Sequence, residues 1–361
     1  MPQFTGSTFL GQLVIPEIWA QYINNDSTQT NRLLTSGIVT SDDEMGAHLQ
    51  DPGQIMNIPV LNDLDGDPQD WNDTEDIKVS NITSDKHNAI KMYQAKAFGQ
   101  TDFSQQVSGA PVSARVSSRF SSYWNNQDER FILALLQNAF LLDDMKEAKS
   151  FGFDTPKDLS AGDFLAALAR MGDVTSPSLN RLNANSATIL AMREQNLISD
   201  VQPSVGGTDI QTYNGIPITE DDSIELGDDG TTTMYINAPG AIRYSQAPAS
   251  KNAVEVVRDA LGKGGQDALI NRRIVSMHVN GLGWDITKPY TGMTVNKLED
   301  ATDPLYQMVM DPRKIGVVAY KFKIDSKYVV KKINSKDKKG STGSTTNTST
   351  SGSTSSGSTT K

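Results

Sequence analysis

Apolar residues recur with helical spacing over a long stretch that begins at Pro111. Neither proline nor glycine occurs from 112 to 151, and one helix face would carry Val112, Val116, Phe120, Tyr123, Phe131, Leu135 and Leu142. This pattern predicts a helix from Pro111 to near Met145, roughly 50 Å long at the rise of an α-helix. The mostly polar interval 124–130 interrupts the apolar face. We therefore expect a helix that lies across a sheet and is exposed in its middle.

Before this helix, apolar and polar residues alternate with the period of a β-strand. Residues 55–60 and 77–82 both alternate in this way, and the segment between them is rich in turn formers and carboxylates. We predict that these two strands form an extended hairpin, with a further strand near 89–98. Residues 1–45 have too few apolar groups to fold alone, so we predict an arm with one short helix that starts at Pro16.

Two shorter helices are predicted in the middle of the chain. Ser160 is a favourable N-cap for a helix over 160–171, and residues 186–198 predict another. In the first of these helices, we expect the inward side chains to be Phe164, Leu165, Leu168 and Met171.

The rest of the chain is mainly β-prone. Residues 212–219 cross a turn at Asn214-Gly215, and residues 231–236 predict a further strand. In the strand predicted at 315–324, polar residues alternate with Tyr320, Phe322 and Ile324.

Another strand signal surrounds Val254 and Val256, which alternate with polar neighbours and predict a half-buried strand. A second β-prone run follows at 274–279. The backbone freedom for a sharp reversal between them comes from Gly262, Gly264 and Gly265.

Composition changes this picture mainly at the C-terminal end. Residues 341–361 contain no apolar side chain, so we predict that 334–361 form a disordered tail rich in Ser, Thr and Gly. The net charge is −10, yet 11 of the 33 Lys and Arg residues and only 2 of the 43 Asp and Glu residues lie from Arg313 onward. The acidic remainder favours at most non-specific contact with nucleic acid.

Candidate chemistry is sparse. Three aspartates alternate as in a calcium loop, but proline stands where that loop needs glycine and threonine where it needs glutamate: Asp63, Asp65, Asp67, Pro68 and Thr74. The glycines around Lys263 lack the Ser or Thr of a phosphate loop, and the three histidines lack partners at metal-ligand spacing. We predict no enzymatic activity, no metal and no cofactor.

No apolar run is long enough to span a bilayer, and the beginning of the chain lacks the basic segment of a signal peptide. We therefore predict a protein that is made in a cytoplasm and has no membrane partner. The chain has 0 cysteines, which excludes disulfides and thiolate chemistry.

The order of several residues resembles that of tailed-bacteriophage major capsid proteins, the Hong Kong 97-like fold family. The late segment carries the family's charged residues, glycine turn, paired arginines and histidine as Glu255, Arg258, Asp259, Gly264, Gly265, Arg272, Arg273, His278 and Gly281. Earlier matches are Ile58-Pro59, Thr101-Asp102, Ser108-Gly109, Tyr123-Trp124, Leu135, Tyr213, Gly215, Pro217, Asp221, Asp222 and Pro239-Gly240-Ala241. The resemblance extends in order over 1–333, with departures at Ala110-Pro111-Val112 and in the tail.

The resemblance implies an α+β phage major capsid fold with an N-terminal arm, an extended β-hairpin loop, a long spine helix, a peripheral domain and an axial domain. These parts would be the arm at 1–45, the extended loop at 46–108, the peripheral domain at 109–178 and 241–280 with the spine helix at about 111–145, the axial domain and closing strands at 179–240 and 281–333, and the tail at 334–361.

The implied function is that of the major head protein, which self-assembles through hexamers and pentamers into an icosahedral shell around packaged double-stranded DNA. Its place would be the virion head, after synthesis and assembly in the bacterial host cytoplasm. Expected partners are other copies, a portal protein and, because few residues precede the first hairpin strand, a separate scaffolding protein. An encapsulin-like nanocompartment shell and, less favoured, a surface adhesin or glycan-binding module are the alternatives.

In such a shell, the acidic connection of the hairpin would lie over a neighbouring subunit and meet its arginines. The acidic candidates for this contact between subunits are Asp63, Asp65, Asp67, Asp70, Asp73 and Glu75. The basic candidates are Arg258, Arg272 and Arg273.

Overall fold

The computed structural model describes residues 7–8, 32–61, 64, 66–71, 76–77, 79–82, 84–109, 111–172, 180–201 and 210–329. The predicted arm helix at Pro16 and the predicted tail at 334–361 lie outside these residues. Within the described part, no helix is long and apolar enough to cross a membrane.

Helices and strands are interspersed along the chain, as an α+β fold requires. The helices are α1 (Arg32–Thr35), α2 (Asp43–Ala47), α3 (Asp102–Ser108), α4 (Val112–Ala139), α5 (Asp143–Lys149), α6 (Ala161–Ala169), α7 (Ser186–Glu194) and α8 (Val295–Glu299). The strands are β1 (Ser7–Thr8), β2 (Val39–Ser41), β3 (Ile55–Leu61), β4 (Ser84–Ile90), β5 (Met92–Thr101), β6 (Ser150–Phe151), β7 (Arg181–Ala184), β8 (Ser199–Val201), β9 (Ile210–Tyr213), β10 (Ile216–Glu220), β11 (Thr231–Asn237), β12 (Ile242–Pro248), β13 (Val254–Asp259), β14 (Gln266–Val279), β15 (Leu282–Trp284), β16 (Tyr306–Met308) and β17 (Val317–Lys323).

Most of these strands belong to two sheets. The first has the order β1-β5-β14-β12-β2, and β13 also pairs with β14. Strand β14 is its centre, because β5, β12 and β13 all pair antiparallel with it. The second sheet has the order β6-β17-β11-β7-β10-β9-β8, while β3 pairs with β4 and β15 with β16.

The two larger apolar cores accompany the two sheets, and a smaller one lies at the hairpin. The C-terminal half of α4 packs in the first core, where Phe131 and Leu135 join Ile242 and Val275 from the first sheet. Helix α8 also packs on α4 through Leu298 in this core. Each fully buried Phe or Leu stabilises the fold by about 1.5–3 kcal/mol. The second core contains Phe164, Leu182, Met234 and Phe322.

The long helix is shorter than the sequence predicts. Helix α4 has 28 residues and ends at Ala139, and a separate helix, α5, begins at Asp143. Phe140 leaves the helix to pack beside Phe153 and Tyr235, with ring centroids 5.8 and 6.3 Å away. The aspartates in the first turn of α5 favour a new helix N-terminus there. The predicted continuous helix to Met145 is therefore wrong at its C-terminal end.

The hairpin is confirmed, but its second strand was predicted too early. Strand β3 pairs antiparallel with β4, with Ile55 opposite Ile90 and Leu61 opposite Ser84. The described residues at 77–82 form no strand, and their apolar side chains are exposed. Strand β4 instead buries the side chains at 87–90, and that burial selects the pairing. The further strand predicted at 89–98 corresponds to β5.

Several local signals act as the sequence predicts. Ser160 caps α6, because its Oγ accepts a hydrogen bond from the Asp163 amide at 3.1 Å. Asn214 and Gly215 adopt φ values of 50° and 78°, as a tight hairpin turn between β9 and β10 requires. The glycine-rich reversal between β13 and β14 is present as well.

Two details of the predicted helices were wrong. Leu165 is half exposed, whereas Phe164 and Met171 are buried as predicted. Helix α7 ends at Glu194, because Asn196 takes a left-handed φ of 56° and stops the helix before residue 198.

Candidate assembly surfaces

The connection between β3 and β4, residues 62–83, exposes large apolar side chains, and we call it the acidic loop. Trp71, Val79 and Leu64 are 91%, 90% and 81% exposed, and Ile77 and Ile82 are exposed too. Soluble single subunits rarely leave so many large apolar groups on one segment unless another molecule covers them. The exposed apolar surface of the acidic loop is therefore typical of a segment that binds another protein surface.

The carboxylates that were predicted from the sequence to contact another subunit lie along this loop. Asp67 and Asp70 are exposed, as is Asp76. The other nominated acids, Asp63, Asp65, Asp73 and Glu75, lie outside the described residues.

A second surface lies beside the N-terminal half of α4, and we call it the spine groove. It has a volume of about 340 Å³ and is lined by Phe98, Arg115, Val116, Arg119, Phe120, Ser122, Tyr123 and Asn126. Phe98 reaches it from β5, with ring centroids 5.4 Å from Phe120 and 5.5 Å from Tyr123. The groove thus combines an aromatic floor with two arginines one helical turn apart.

The nominated arginines all have carboxylate partners in their own chain. Arg258 Nη2 lies 2.6 Å from Asp102 Oδ2, and Arg272 Nη1 lies 2.9 Å from Glu255 Oε2. Both ion pairs are partly exposed to solvent. Exposed pairs of this kind contribute about 0–1 kcal/mol, so exchange for another carboxylate is inexpensive.

Arg273 differs because its side chain is buried. Its Nη2 and Nη1 donate to Asp128 Oδ1 and Oδ2 at 2.5 and 2.9 Å, and its Nε donates to Gln94 Oε1 at 2.9 Å. The guanidinium carbon lies 4.2 Å from the Trp124 ring centroid. Tyr244 donates to Asp128 Oδ2 at 3.2 Å. Burial raises the pKa of Asp128 more than the neighbouring guanidinium lowers it.

This buried pair corrects the expectation that α4 is exposed in its middle. Asp128 and Glu129 are both buried, although they lie in the polar interval 124–130. Their burial depends on partners far away in sequence, and Arg273 is 145 positions from Asp128. The periodicity of the helix sequence cannot predict a partner that lies so far away along the chain.

Strand β13 presents a further apolar surface. Val254 and Val256 are exposed rather than half-buried, because β13 leaves one face uncovered at the edge of the first sheet. Leu261, in the reversal after β13, is exposed as well.

Two histidines meet where the hairpin joins the first sheet. The rings of His87 in β4 and His278 in β14 are 6.5 Å apart and nearly perpendicular. Burial lowers the pKa of both rings, that of His278 to about 4, and the Arg243 cation lowers them further. Within the described residues, no group of three or more His, Asp or Glu side chains could hold a metal ion.

The sequence of this chain is similar to that of a phage protein. The chain is 32% identical over 326 residues to the major capsid protein of Bacillus phage SPP1, an alignment that covers 88% of this chain and 99% of that protein. The chain belongs to the phage major capsid protein family. No family model matches it.

Solved structures agree with the fold of this capsid protein. The capsid of Ralstonia phage GP4 has a TM-score of 0.57 at 9% identity, over 86% of this chain and 96% of that one. The cyanophage Pam1 capsid asymmetric unit has a TM-score of 0.55 at 11% identity, over 85% and 96%. At such low identity the likeness concerns the fold alone, and that fold is the phage major capsid fold expected from the sequence.

Proposed function

We propose that this protein is the major head protein of a tailed phage and that the acidic loop of one copy packs into the spine groove of a second copy. Repeated contacts of this kind join subunits into hexamers and pentamers, and these build an icosahedral shell around double-stranded DNA. A contact between two different surfaces closes subunits into rings, which is the geometry that such capsomers need.

The observation that carries this proposal is the exposure of Trp71 and its apolar neighbours on the acidic loop. A tryptophan side chain contributes a large buried area when it enters a pocket, and tryptophans frequently dominate the energy of an interface. The spine groove offers aromatic surface of matching chemistry through Phe98, Phe120 and Tyr123.

Charge supports the same pairing. Asp67, Asp70 and Asp76 are exposed around Trp71, and the groove is lined by Arg115 and Arg119. Opposite charges at the rim of an interface orient two partners and speed their encounter more than they add affinity. Electrostatic forces would therefore repel the acidic loop from the acidic loops of other copies and attract it to the spine groove.

The three arginines predicted from the sequence could act at this interface in two ways. Arg258 and Arg272 hold partly exposed carboxylates that an incoming acidic loop could replace. Arg273 would influence the interface through Trp124, whose ring centroid is 6.2 Å from that of Phe120 and 5.0 Å from that of Tyr123.

We further propose a peripheral domain at 109–178 and 241–280 and an axial domain at 179–240 and 281–333. Within this division, residues 282–317 of the axial domain pack in the first core, beside the long helix of the peripheral domain. We also propose a structural role without enzymatic activity, assembly in the host cytoplasm, a separate scaffolding protein, a portal protein and only non-specific contact with DNA.

The chain contains 0 cysteines, so two engineered ones can report the contact directly. Asp70→Cys, which leaves the neighbouring Trp71 in place, and Ser122→Cys chains are co-expressed, with a scaffold if shells need one, and sedimented shells are oxidised. We expect a disulfide between the two chains. Ser121→Cys is the matched control, because Ser121 neighbours Ser122 but points to solvent outside the groove.

Shells in which both serine positions cross-link equally, or neither does, would contradict the docking while leaving the shell function intact. If the unmodified protein forms no closed shells by electron microscopy, with or without a scaffold, the head-protein proposal fails. Oxidative footprinting of unmodified shells gives an independent measure, because Trp71 should be labelled in subunits and protected in shells.

A further inference from the structure

Two carboxyl groups from distant parts of the chain meet in the interior. Glu129 belongs to α4, and Asp221 follows β10 on the segment that leads to β11. Both residues are buried, and their carboxyl groups interact directly. The contact joins the long helix of the first core to a segment that leaves the second sheet.

The hydrogen bonds around the pair involve one oxygen of each carboxyl group and are all donated by Ser223. Ser223 donates through its hydroxyl to Glu129 Oε1 and through its amide to Asp221 Oδ1, the latter at 2.9 Å. Glu129 Oε2 and Asp221 Oδ2 are buried and have no protein donor. Burial next to a second carboxyl group disfavours the ionised form of Glu129, so a proton on Glu129 is favoured in the folded subunit.

We propose that a proton on Glu129 latches the segment after β10 onto α4, and that its loss as pH rises loosens the contact between that segment and the helix. Once both groups are ionised, they repel each other at a site where water cannot screen the repulsion. Opening of the segment would then relieve the repulsion by hydrating both carboxylates.

The direction of the pH dependence follows from the same geometry. Burial, with the Asp221 contact second, raises the pKa of Glu129 from 4.5 to about 7. A group whose pKa is raised by folding stabilises the folded state fully below its unfolded pKa, and this contribution is lost as pH rises through the folded pKa. The latch is therefore closed below about pH 4.5 and opens as pH passes about 7.

Other charged groups at the junction leave this direction unchanged. The cation facing Glu129 is Arg32 of α1, which lowers the pKa of Glu129 less than burial raises it. Arg32 Nη1 also donates to the Glu220 carbonyl at 3.1 Å and lies 3.6 Å from Glu220 Oε2. On the same segment, Asp222 Oδ1 accepts from the Ser186 amide at the start of α7.

Hydrogen exchange of the full-length protein as unassembled subunits tests the latch without reference to shells. Amides at 221–226, corrected for the intrinsic effect of pH, should exchange about tenfold faster at pH 8.5 than at pH 5.5. Glu129→Gln keeps a donor toward Asp221 and removes the titration, so its exchange should not change with pH. Glu225→Gln on the same segment is the control and should behave as the unmodified chain does.

An unmodified chain without this pH dependence, or a Glu129→Gln chain that retains it, would overturn the proposal. Infrared titration of the unmodified protein gives a second readout that needs no folded variant. A protonated carboxyl band should persist near pH 6 and disappear by pH 8.5. Its absence at pH 6 would also overturn the proposal. The latch concerns the subunit, so its failure would leave the head-protein function untouched.

Discussion

The acidic loop and the middle of α4 distribute polar and apolar groups in opposite ways. The loop exposes Trp71 and Val79 almost completely, whereas α4 buries Asp128 against Arg273. This difference in burial indicates where the interaction partner of each side chain lies. The charges of Asp128 and Arg273 are matched within the subunit, while the exposed apolar side chains are matched, by our proposal, on the surface of another subunit. Changes in α4 should therefore act on folding, and changes in the loop should act on assembly.

The most severe test of this contrast is a charge in the core half of α4. Leu135 is fully buried, and Leu135→Asp would place an unpaired carboxylate there. Burial of an unpaired charge costs several kcal/mol, against a total stability of about 5–15 kcal/mol for a domain. We expect insoluble or unfolded protein, measured by soluble yield and thermal unfolding followed by circular dichroism.

The same substitution on the exposed face of the helix is the control. Ser121 is exposed, so Ser121→Asp should change the free energy of unfolding by no more than about 0.5 kcal/mol. A soluble Leu135→Asp subunit with a normal unfolding transition would show that the core half of α4 is not the structural spine.

The next prediction removes one partner of the buried ion pair. Asp128→Ala leaves the Arg273 cation buried without its carboxylate, which should lower the free energy of unfolding by about 3–5 kcal/mol. The double variant with Arg273→Met should recover part of this loss, because an apolar side chain does not need a counter-charge. Urea unfolding of the two variants and the unmodified chain measures both effects. A double variant no more stable than Asp128→Ala would mean that packing, rather than charge, explains the loss.

Sequence reasoning succeeded where the deciding interaction is local. Ser160 caps the amide three residues later, and Asn214-Gly215 turns within its own hairpin. In both cases the residue type and its neighbours contain the whole physical cause.

It failed where the deciding partner is distant or, by our proposal, belongs to another copy. Alternation at 77–82 has the same pattern in a half-buried strand and in a loop whose apolar side chains are exposed in the single subunit. Glu129 looked solvent-exposed because Asp221, which meets it in the interior, is far along the chain. The spine groove was missed for a related reason, since Phe98 comes from β5 and the rest of its floor from α4.

A smaller effect is expected at the histidine pair, which tests whether interior polar groups are matched within the subunit. His278 has a pKa of about 4 in the folded chain, below its usual 6.5. A lowered histidine pKa means that stability is complete above about 6.5 and is lost as pH falls toward 4. We expect a loss of about 3 kcal/mol over this range, because each unit of pKa shift corresponds to about 1.4 kcal/mol.

Urea unfolding at several pH values measures this loss, and His278→Gln should reduce its pH dependence. An unchanged acid profile in that variant would assign the loss to other groups. The direction is opposite to that of the Glu129–Asp221 latch, so the two junctions can be distinguished in one titration.

The smallest effect on folding should come from Trp71, where we expect the largest difference between the effect on folding and the effect on assembly. Trp71→Ala removes a side chain that is 91% exposed, so the free energy of unfolding of the subunit should change by no more than about 0.5 kcal/mol. Shell yield should nevertheless fall steeply, because truncation of a buried interface tryptophan costs about 2 kcal/mol or more at each contact. Trp71→Phe keeps an aromatic ring for the groove and should restore most of the yield. Sedimentation of assembled material, together with thermal unfolding of subunits, separates the two effects. Normal shells from Trp71→Ala would place the apolar side chain of the loop outside the interface, and a destabilised subunit would mean that the loop already packs on its own chain.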